Sequence, residues 1–428
     1  MSRTPNAAAT SIAQHWVEVY CTDGLSNKWM CYVPHFIATD EVVATAAQAV
    51  LFARQTKIDC SDTQLLGSQR LHSAALTRLQ RRLSGSSADL VAVALLGRYE
   101  QVLGTDYKAL AAHVRGITAI LQSNHLEPRM QEIAMVFLQM TKVHRLYQPI
   151  ADERASPFDT NNTWLESDPP QRFFKLSESC KAVKKLPNKI YIRLPRLVAE
   201  VKRARRRRTD ELPRDEAVLK CITLADQLVA TSDPRSEATL TEQCVYEVET
   251  EVGSRDILSS SFNFTSKEEM YDLLEYWEGR LFMINIVRNI LEQTTSHWAA
   301  GMETADLHFD KESVSKEQHE LVRNILKSVT AFEATGNGEI PVAIPSALIA
   351  VWGALPTLTE FNDIPIDRVK SWLFPKCAAA LDHWRQNITM HELDQISDMF
   401  VGGPTESLFG TDLQLALLYR KYHAPHAA

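Results

Sequence analysis

Three polar side chains in an apolar part of the sequence could do chemistry. Tyr99 and Glu100 are adjacent and could act together as an acid and a base. His113 lies between the apolar residues Leu110 and Val114, where an imidazole could act as a base or bind a ligand. Each group also fits a structural role, because buried polar side chains that are hydrogen-bonded can tie helices together. Both interpretations stay open at this point.

Motifs for bound metals, nucleotides and acyl intermediates do not occur in the sequence. It has neither an H-E-x-x-H pattern nor a C-x-x-C pair, and its seven cysteines are scattered. It has no G-x-x-x-x-G-K-[ST] or G-x-G-x-x-G loop for phosphates and no G-x-S-x-G turn for a serine nucleophile. We therefore expect no metal and no cofactor, and we assign no catalytic residue.

A basic segment runs from Lys181 to Arg208 and has twelve Lys or Arg residues against one acid, Glu200. Its end, KRARRRR, is typical of a nuclear-import signal or of a local site for polyanions. A solvated helix face with an exposed basic end would explain the same residues. The import hypothesis rests on Lys202, Arg203, Arg205, Arg206, Arg207 and Arg208.

Three consecutive helices must position the polar residues of the first group, within residues 73–121. Apolar residues recur there at helical spacing, and the segment is broken near Gly85 and Gly104. Ser86 or Ser87 is expected to cap the second helix, whose first turn would hold Asp89. A glycine inside the third helix costs about 1 kcal/mol relative to alanine, so Gly116 predicts a closely packed neighbouring helix.

The order of these positions resembles the fungal-specific regulatory domain of zinc binuclear-cluster transcription factors. The resemblance is carried by Leu76-x-x-Leu79-x-x-x-Leu83, Asp89-Leu90, Leu96-x-x-Tyr99-Glu100 and His113-x-x-Gly116. It implies an all-α domain in which Tyr99, Glu100, His113 and Gly116 form the core motif. The family's six-cysteine DNA-binding cluster is not found in the sequence, and Leu110 stands where relatives often carry Trp.

Composition limits the classes of protein to consider. The chain has 428 residues, of which 45% are hydrophobic, and a formal net charge of −7. This apolar content can supply an extensive core, and the acidic balance argues against a protein that binds nucleic acid over its whole surface. An odd number of scattered cysteines suits a reducing compartment, and no secretory signal or membrane span is predicted.

The predicted fold is all-α, because helical periodicity prevails and alternation of apolar and polar residues is scarce. We expect a single large multi-helical domain over residues 13–428, after a disordered N-terminus at residues 1–12. Loops are predicted near 148–172 and 232–265, where polar residues and proline accumulate. After the second loop, Ser266-x-x-Glu269 has the spacing of a capping box and predicts the start of a long amphipathic helix.

Two classes of function follow. The resemblance implies a transcription-factor-like regulatory protein of a fungal secondary-metabolite pathway, located in the nucleus and acting through protein partners such as a full-length transcription factor. A small hydrophobic molecule is a candidate ligand, and neither sequence-specific DNA binding nor membrane association is expected. The alternative is a cytosolic, cofactor-free cyclase, isomerase or pericyclase that acts on a hydrophobic intermediate, because such a site leaves no sequence motif. A gene model without an upstream zinc-cluster exon is a third explanation.

Overall fold

The computed structural model describes residues 7–21, 28–59, 62–103, 107–123, 131–160, 162–166, 177–206, 213–250, 254–294, 307–334, 343–381 and 387–403. Most of these residues are helical, so the predicted all-α class is confirmed. The contacts group the chain into two compact units. Unit 1 contains the described residues up to His144, and unit 2 contains those from Arg145 onward.

Unit 1 is a set of seven α-helices within the part of the chain that the structure describes. They are α1 (Ala7–Tyr20), α2 (Val33–Ile37), α3 (Glu41–Asp59), α4 (Asp62–Arg82), α5 (Ser87–Leu103), α6 (Tyr107–Gln122) and α7 (Gln131–Met140), with a 3₁₀ turn at Lys28–Tyr32 before α2. Helix α5 packs against α3, α4 and α6. It is buried on nearly every side, as its continuous apolar sequence predicts.

Unit 2 is built around one long helix, α13 (Lys267–Thr294), which packs against α10, α11, α14 and α15. Ser266 and Glu269 form the predicted helix start, because the Glu269 amide donates to Ser266 Oγ at 3.2 Å. The other helices among the described residues of unit 2 are α8 (Gln148–Ala151), α9 (Asn162–Glu166), α10 (Glu178–Arg206), α11 (Pro213–Val229), α12 (Pro234–Cys244), α14 (Lys311–Ala334), α15 (Ala343–Ala354), α16 (Ile366–Leu381) and α17 (Met390–Phe400). A π-helical turn at Val143–Tyr147 precedes α8, and a 3₁₀ turn at Leu355–Thr357 follows α15.

The segment predicted as a loop near 232–265 contains a helix and two paired strands, so that prediction was wrong. Asp233 caps α12 by accepting from the Ser236 amide at 3.0 Å. Strand β1 (Val245–Glu249) then pairs antiparallel with β2 (Ser260–Phe264), with Val245 opposite Phe264. A second short pair, β3 (Glu360–Phe361) and β4 (Ile364–Pro365), precedes α16. Both pairs have two strands, and the fold remains helical.

Two other predicted boundaries differ from the structure. Helix α1 begins at Ala7, inside the stretch 1–12 that was predicted to be disordered, because its three alanines at 7–9 are strong helix formers. The predicted loop near 148–172 contains α8 and α9, which burial of Ile150, Trp164 and Leu165 stabilises. Residues 1–6, 161 and 167–172 lie outside the described residues. None of the described helices combines the length and the apolarity that crossing a membrane requires.

Candidate functional site

Helices α4, α5 and α6 of unit 1 bring together two histidines and one glutamate. His72 comes from α4, Glu100 from α5 and His113 from α6. Glu100 Oε1 lies 3.2 Å from His72 Nε2 and 4.0 Å from His113 Nε2. One donor atom from each side chain lies within 4.8 Å of the other two. The side chains of two residues from the predicted core motif therefore share one site with a histidine that the sequence analysis did not select.

Tyr99 closes one side of this site. Its ring stacks on the imidazole of His72, with centroids 4.2 Å apart and planes 17° from parallel. Its hydroxyl lies 3.4 Å from Ser68 Oγ, one turn before His72 on α4. Burial raises the pKa of Tyr99, and the Glu100 charge adds to that effect. Tyr99 is thus a protonated phenol at neutral pH that orients His72.

Two glycines allow α5 and α6 to approach closely at the site. A methyl group added at Gly97 on α5 would lie 3.3 Å from His113 Cβ. A methyl group added at Gly116 on α6 would lie 3.3 Å from Val93 Cγ1 on α5. Larger side chains at either position would push the helices apart, because both contacts are already tight. The neighbouring helix that Gly116 predicted is therefore α5.

The protonation of the site follows from its burial. Burial lowers the pKa of His113 to about 4, although the nearby Glu100 carboxylate opposes the shift. His113 is therefore neutral at pH 7 and has one ring nitrogen with a free lone pair. The Nε2 atom of His72 is buried and has no hydrogen bond to any described residue. Its 3.2 Å contact with Glu100 is short enough for an ion pair but lacks hydrogen-bond geometry.

The start of α5 is fixed by a buried carboxylate, Asp89. Its Oδ2 accepts from the Ser84 amide at 2.8 Å, from Ser84 Oγ at 2.9 Å and from the Ser86 amide at 3.2 Å. Ser86 Oγ in turn accepts from the Asp89 amide at 3.2 Å, so of the two predicted caps Ser86 is the one used. Burial alone would raise the pKa of Asp89, but the hydrogen bonds from Ser84 and Ser86 outweigh burial and lower it.

Arg82, the last residue of α4, joins this start to that of α3. Its guanidinium contacts both carboxylate oxygens of Asp40, at 2.6 and 3.0 Å, and lies 3.4 Å from Asp89 Oδ1. Asp40 itself caps α3 by accepting from the amides of Val42 and Val43, each at 2.9 Å. One side chain thus connects α3, α4 and α5 at one end of the bundle.

The basic segment of the sequence forms the last turns of α10 in unit 2, and part of it is buried. Lys202 is 3% exposed and donates from Nζ to the Ile150 carbonyl at 3.4 Å. Arg206 makes a two-pronged ion pair with Glu153, at 2.5 and 2.6 Å. Use of this segment as an import signal would require these contacts to break.

The remaining arginines of the segment differ in their contacts. Arg203 is exposed but donates to Glu200 Oε1 at 2.6 Å, and Arg205 is exposed at the surface. Arg207 and Arg208 lie outside the described residues. The structure therefore places Lys202, Arg203, Arg205 and Arg206 on one helix, α10.

A second buried polar group lies in unit 2. Arg145 and Tyr147 project from the π-helical turn and are both buried. Arg145 donates to Asn188 Oδ1, while the Tyr147 hydroxyl bonds Ser346 Oγ, which donates to Glu278 Oε1 at 2.5 Å. Glu278 is completely buried. π-Helical turns and buried ionisable groups are both enriched at functional sites.

Comparison with known proteins gives no further assignment. No protein-family model, curated protein or solved structure matches this chain. The resemblance to the fungal regulatory domain therefore rests on the residues that carry it. Of these, Tyr99, Glu100 and His113 surround the site between α4 and α6, and Gly116 lies one turn further along α6.

Proposed function

We propose that this chain is a transcription-regulatory protein of the fungal-specific regulatory type, which acts through contacts with protein partners. One observation supports the proposal. Most of the positions that carry the resemblance belong to three packed helices, and three of them, Tyr99, Glu100 and His113, converge on a single buried site. Buried charged groups are costly, so a helical core has no general need for them. A regulatory domain that must adopt one defined core is a setting in which they serve specificity.

A tethering experiment tests this function directly. The full chain is fused to a heterologous DNA-binding domain, and transcription of a reporter with the matching operator is measured. We expect reporter activity to change at least several-fold relative to the DNA-binding domain alone. Glu100→Gln provides a nearly isosteric variant of the site, and Glu18→Gln on the exposed side of α1 is the matched control. Reporter activity equal to that of the unfused domain would refute the proposal.

Direct reading of DNA sequence is not part of the proposal, because no described or predicted element resembles a module that places side chains in a groove. Contacts between the arginine run and phosphates would be sequence-independent. If six to ten phosphates were neutralised, such binding would weaken by roughly three to five decades between about 50 and 200 mM salt. Titration against promoter and scrambled duplexes distinguishes the cases. A preference of about a thousandfold for the promoter at physiological salt would contradict this part of the proposal.

Nuclear localisation is the second element of the proposal. Replacing Arg205, Arg206, Arg207 and Arg208 by alanine in a fluorescent fusion should move the protein to the cytosol. Glu153→Gln is the informative companion, because it releases Arg206 from its ion pair without changing the basic run. We expect this variant to keep or increase its nuclear fraction. A wild-type fusion that is already cytosolic would contradict nuclear localisation.

A cofactor-free enzyme is the second candidate function, and the buried group at the π-helical turn favours it. Tyr147, Ser346 and Glu278 form a chain of hydrogen bonds along which a proton could pass. A deletion strain separates the two functions. Loss of the pathway transcripts supports the regulator, whereas accumulation of one intermediate with unchanged transcripts supports the enzyme.

A further inference from the structure

We propose that His72, Glu100 and His113 form a binding site for one divalent transition-metal ion, with Zn²⁺ as the first candidate. The ligand atoms would be Nε2 of both histidines and Oε1 of Glu100. This site lies entirely within unit 1 and does not depend on the proposed role in transcription. The three residues form no local sequence motif, because they lie on three separate helices. The proposal therefore departs from the expectation of no metal.

The distances from Glu100 to the two histidines are close to those around a bound metal ion. With metal–ligand bonds of about 2.0–2.1 Å, two ligand atoms of a tetrahedral Zn²⁺ are separated by about 3.3–3.4 Å. His72 Nε2 and Glu100 Oε1 are already 3.2 Å apart. His113 Nε2 is 4.0 Å from the same oxygen and would need to approach by about 0.6 Å on metal binding.

Charge also favours a cation at this position. A metal ion would place positive charge beside the buried Glu100 carboxylate, where electrostatic interactions are stronger than in water. The buried Nε2 of His72 has no hydrogen bond, so its lone pair could serve a metal ion.

The set of donors indicates which class of ion fits. Two imidazoles and one carboxylate are used by Zn²⁺ and by Fe²⁺ in proteins, whereas Ca²⁺ and Mg²⁺ prefer oxygen ligands. The side chains of His72 and His113 are 14% and 12% exposed, so the site lies close to the surface of unit 1. Three protein ligands leave at least one coordination position for water or another molecule.

Titration with Co²⁺ provides the test, because tetrahedral Co²⁺ bound to protein ligands absorbs visible light. The full chain is prepared without a histidine tag and stripped with a chelator, and the metal content is checked by mass spectrometry. We expect saturation at one Co²⁺ per chain and displacement by Zn²⁺. His72→Ala, His113→Ala and Glu100→Gln should each weaken binding by more than about 100-fold, the upper end of losses seen for groups that only support metal ligands. His15→Ala, which changes an exposed histidine on α1, is the control and should bind as the wild type does.

Two results would overturn the proposal. One is a wild-type chain that binds no stoichiometric Co²⁺ or Zn²⁺. The other is a folded variant, by circular dichroism, that binds Co²⁺ as tightly as the wild type. If the variants do not fold, X-ray absorption at the zinc edge of the loaded wild type decides the question. A first shell with two imidazoles and oxygen supports the site, and any shell with fewer than two imidazoles excludes it.

Discussion

Replacing Asp89 by asparagine should destabilise unit 1 through the loss of one charge. The two side chains have nearly the same shape, so packing around the start of α5 is preserved. Asp89 is 1% exposed, and one of its oxygens accepts three hydrogen bonds, from Ser84 and Ser86. An asparagine in its place is neutral, and its amide group would face donors unless it were turned away from them.

The expected loss is about 2 to 3 kcal/mol of unfolding free energy. Hydrogen bonds to charged groups contribute about 1.5–3 kcal/mol and neutral ones about 1 kcal/mol, but Ser84 and Ser86 are exposed residues and water can replace part of the loss. The helix dipole of α5 adds about 0.3–1 kcal/mol. The 3.4 Å contact between Arg82 and Asp89 adds little, because the Arg82 side chain is 38% exposed.

Hydrogen exchange of the α5 amides, read by mass spectrometry, measures this loss in unit 1. The effect should depend on pH. Because the pKa of Asp89 is lowered in the folded state, its contribution is complete above the unfolded pKa of about 3.9 and is lost as pH falls through the folded pKa. The difference between wild type and Asp89→Asn should therefore be constant from pH 7 to about 5 and narrow below about 4.

The control for this experiment is Asp62→Asn, which removes an exposed carboxylate from the first turn of α4. It should cost less than about 1 kcal/mol, because only the dipole interaction is lost. Equal exchange in wild type and Asp89→Asn at pH 7 would show that the buried carboxylate does not stabilise α5. A control variant that loses as much stability as Asp89→Asn would show that burial and hydrogen bonding of the Asp89 carboxylate are not the cause of the loss.

Three further predictions concern single positions. Gly402→Ala should lower the melting temperature of unit 2 and reduce its unfolding free energy by about 2 kcal/mol or more. Gly402 has a φ of +83°, and an added Cβ would lie 2.6 Å from Val201 Cγ1. An unchanged melting temperature would contradict this prediction. Gly116→Ala should leave the unfolding free energy measured in urea nearly unchanged, because a gain in helix propensity of about 1 kcal/mol offsets the tight contact with Val93. Gly116→Leu should lower that free energy by about 1–3 kcal/mol. Equal effects of the two substitutions would refute the packing argument. With a chelator present to remove metal ions, the unfolding free energy of unit 1 should rise between about pH 4 and 6.5, by up to about 3 kcal/mol. The reason is that His113 binds a proton in the unfolded state over this range but not in the folded state. His113→Gln should reduce this rise, and the same dependence on pH in both proteins would contradict the prediction.

The helices of the fold were predictable where periodicity and caps agree. Helices α5 and α13 begin at the predicted serines because a serine followed three residues later by an acid satisfies the first amides of a helix. The hairpin of β1 and β2 was missed for a physical reason. Its strands are short, and β1 is mostly exposed, so neither shows the alternation that identifies a half-buried strand. The pairing of Val245 with Phe264 depends on tertiary structure, which the local composition does not predict.

The site was predictable only in part. Glu100 and His113 were selected because polar side chains are rare in their apolar surroundings. His72 was missed because α4 is polar overall, and one more polar residue there attracts no notice. The sequence does carry one signal, because the spacing of Ser68, His72, Ala75 and Leu79 places them on one face of a helix. In the structure, Ser68, Ala75 and Leu79 on that face are buried. The convergence of α4, α5 and α6 on one point depends on packing, which spacing within each helix does not specify.

The position of Arg82 has a consequence for how unit 1 folds. The guanidinium links the caps of α3 and α5 across only 42 and 7 residues of chain, with Asp40 and Asp89 as partners. The seven-residue loop closes at a small entropic cost, the longer one costs about 0.6 kcal/mol more for each doubling of length, and folding rates rise as contacts become more local. Helices α3 to α5 are thus suited to form the nucleus of unit 1, on which α6 adds the last side chain of the His72 site. In a φ-value study, substitutions at this junction should slow folding, while substitutions in α6 should mainly speed unfolding.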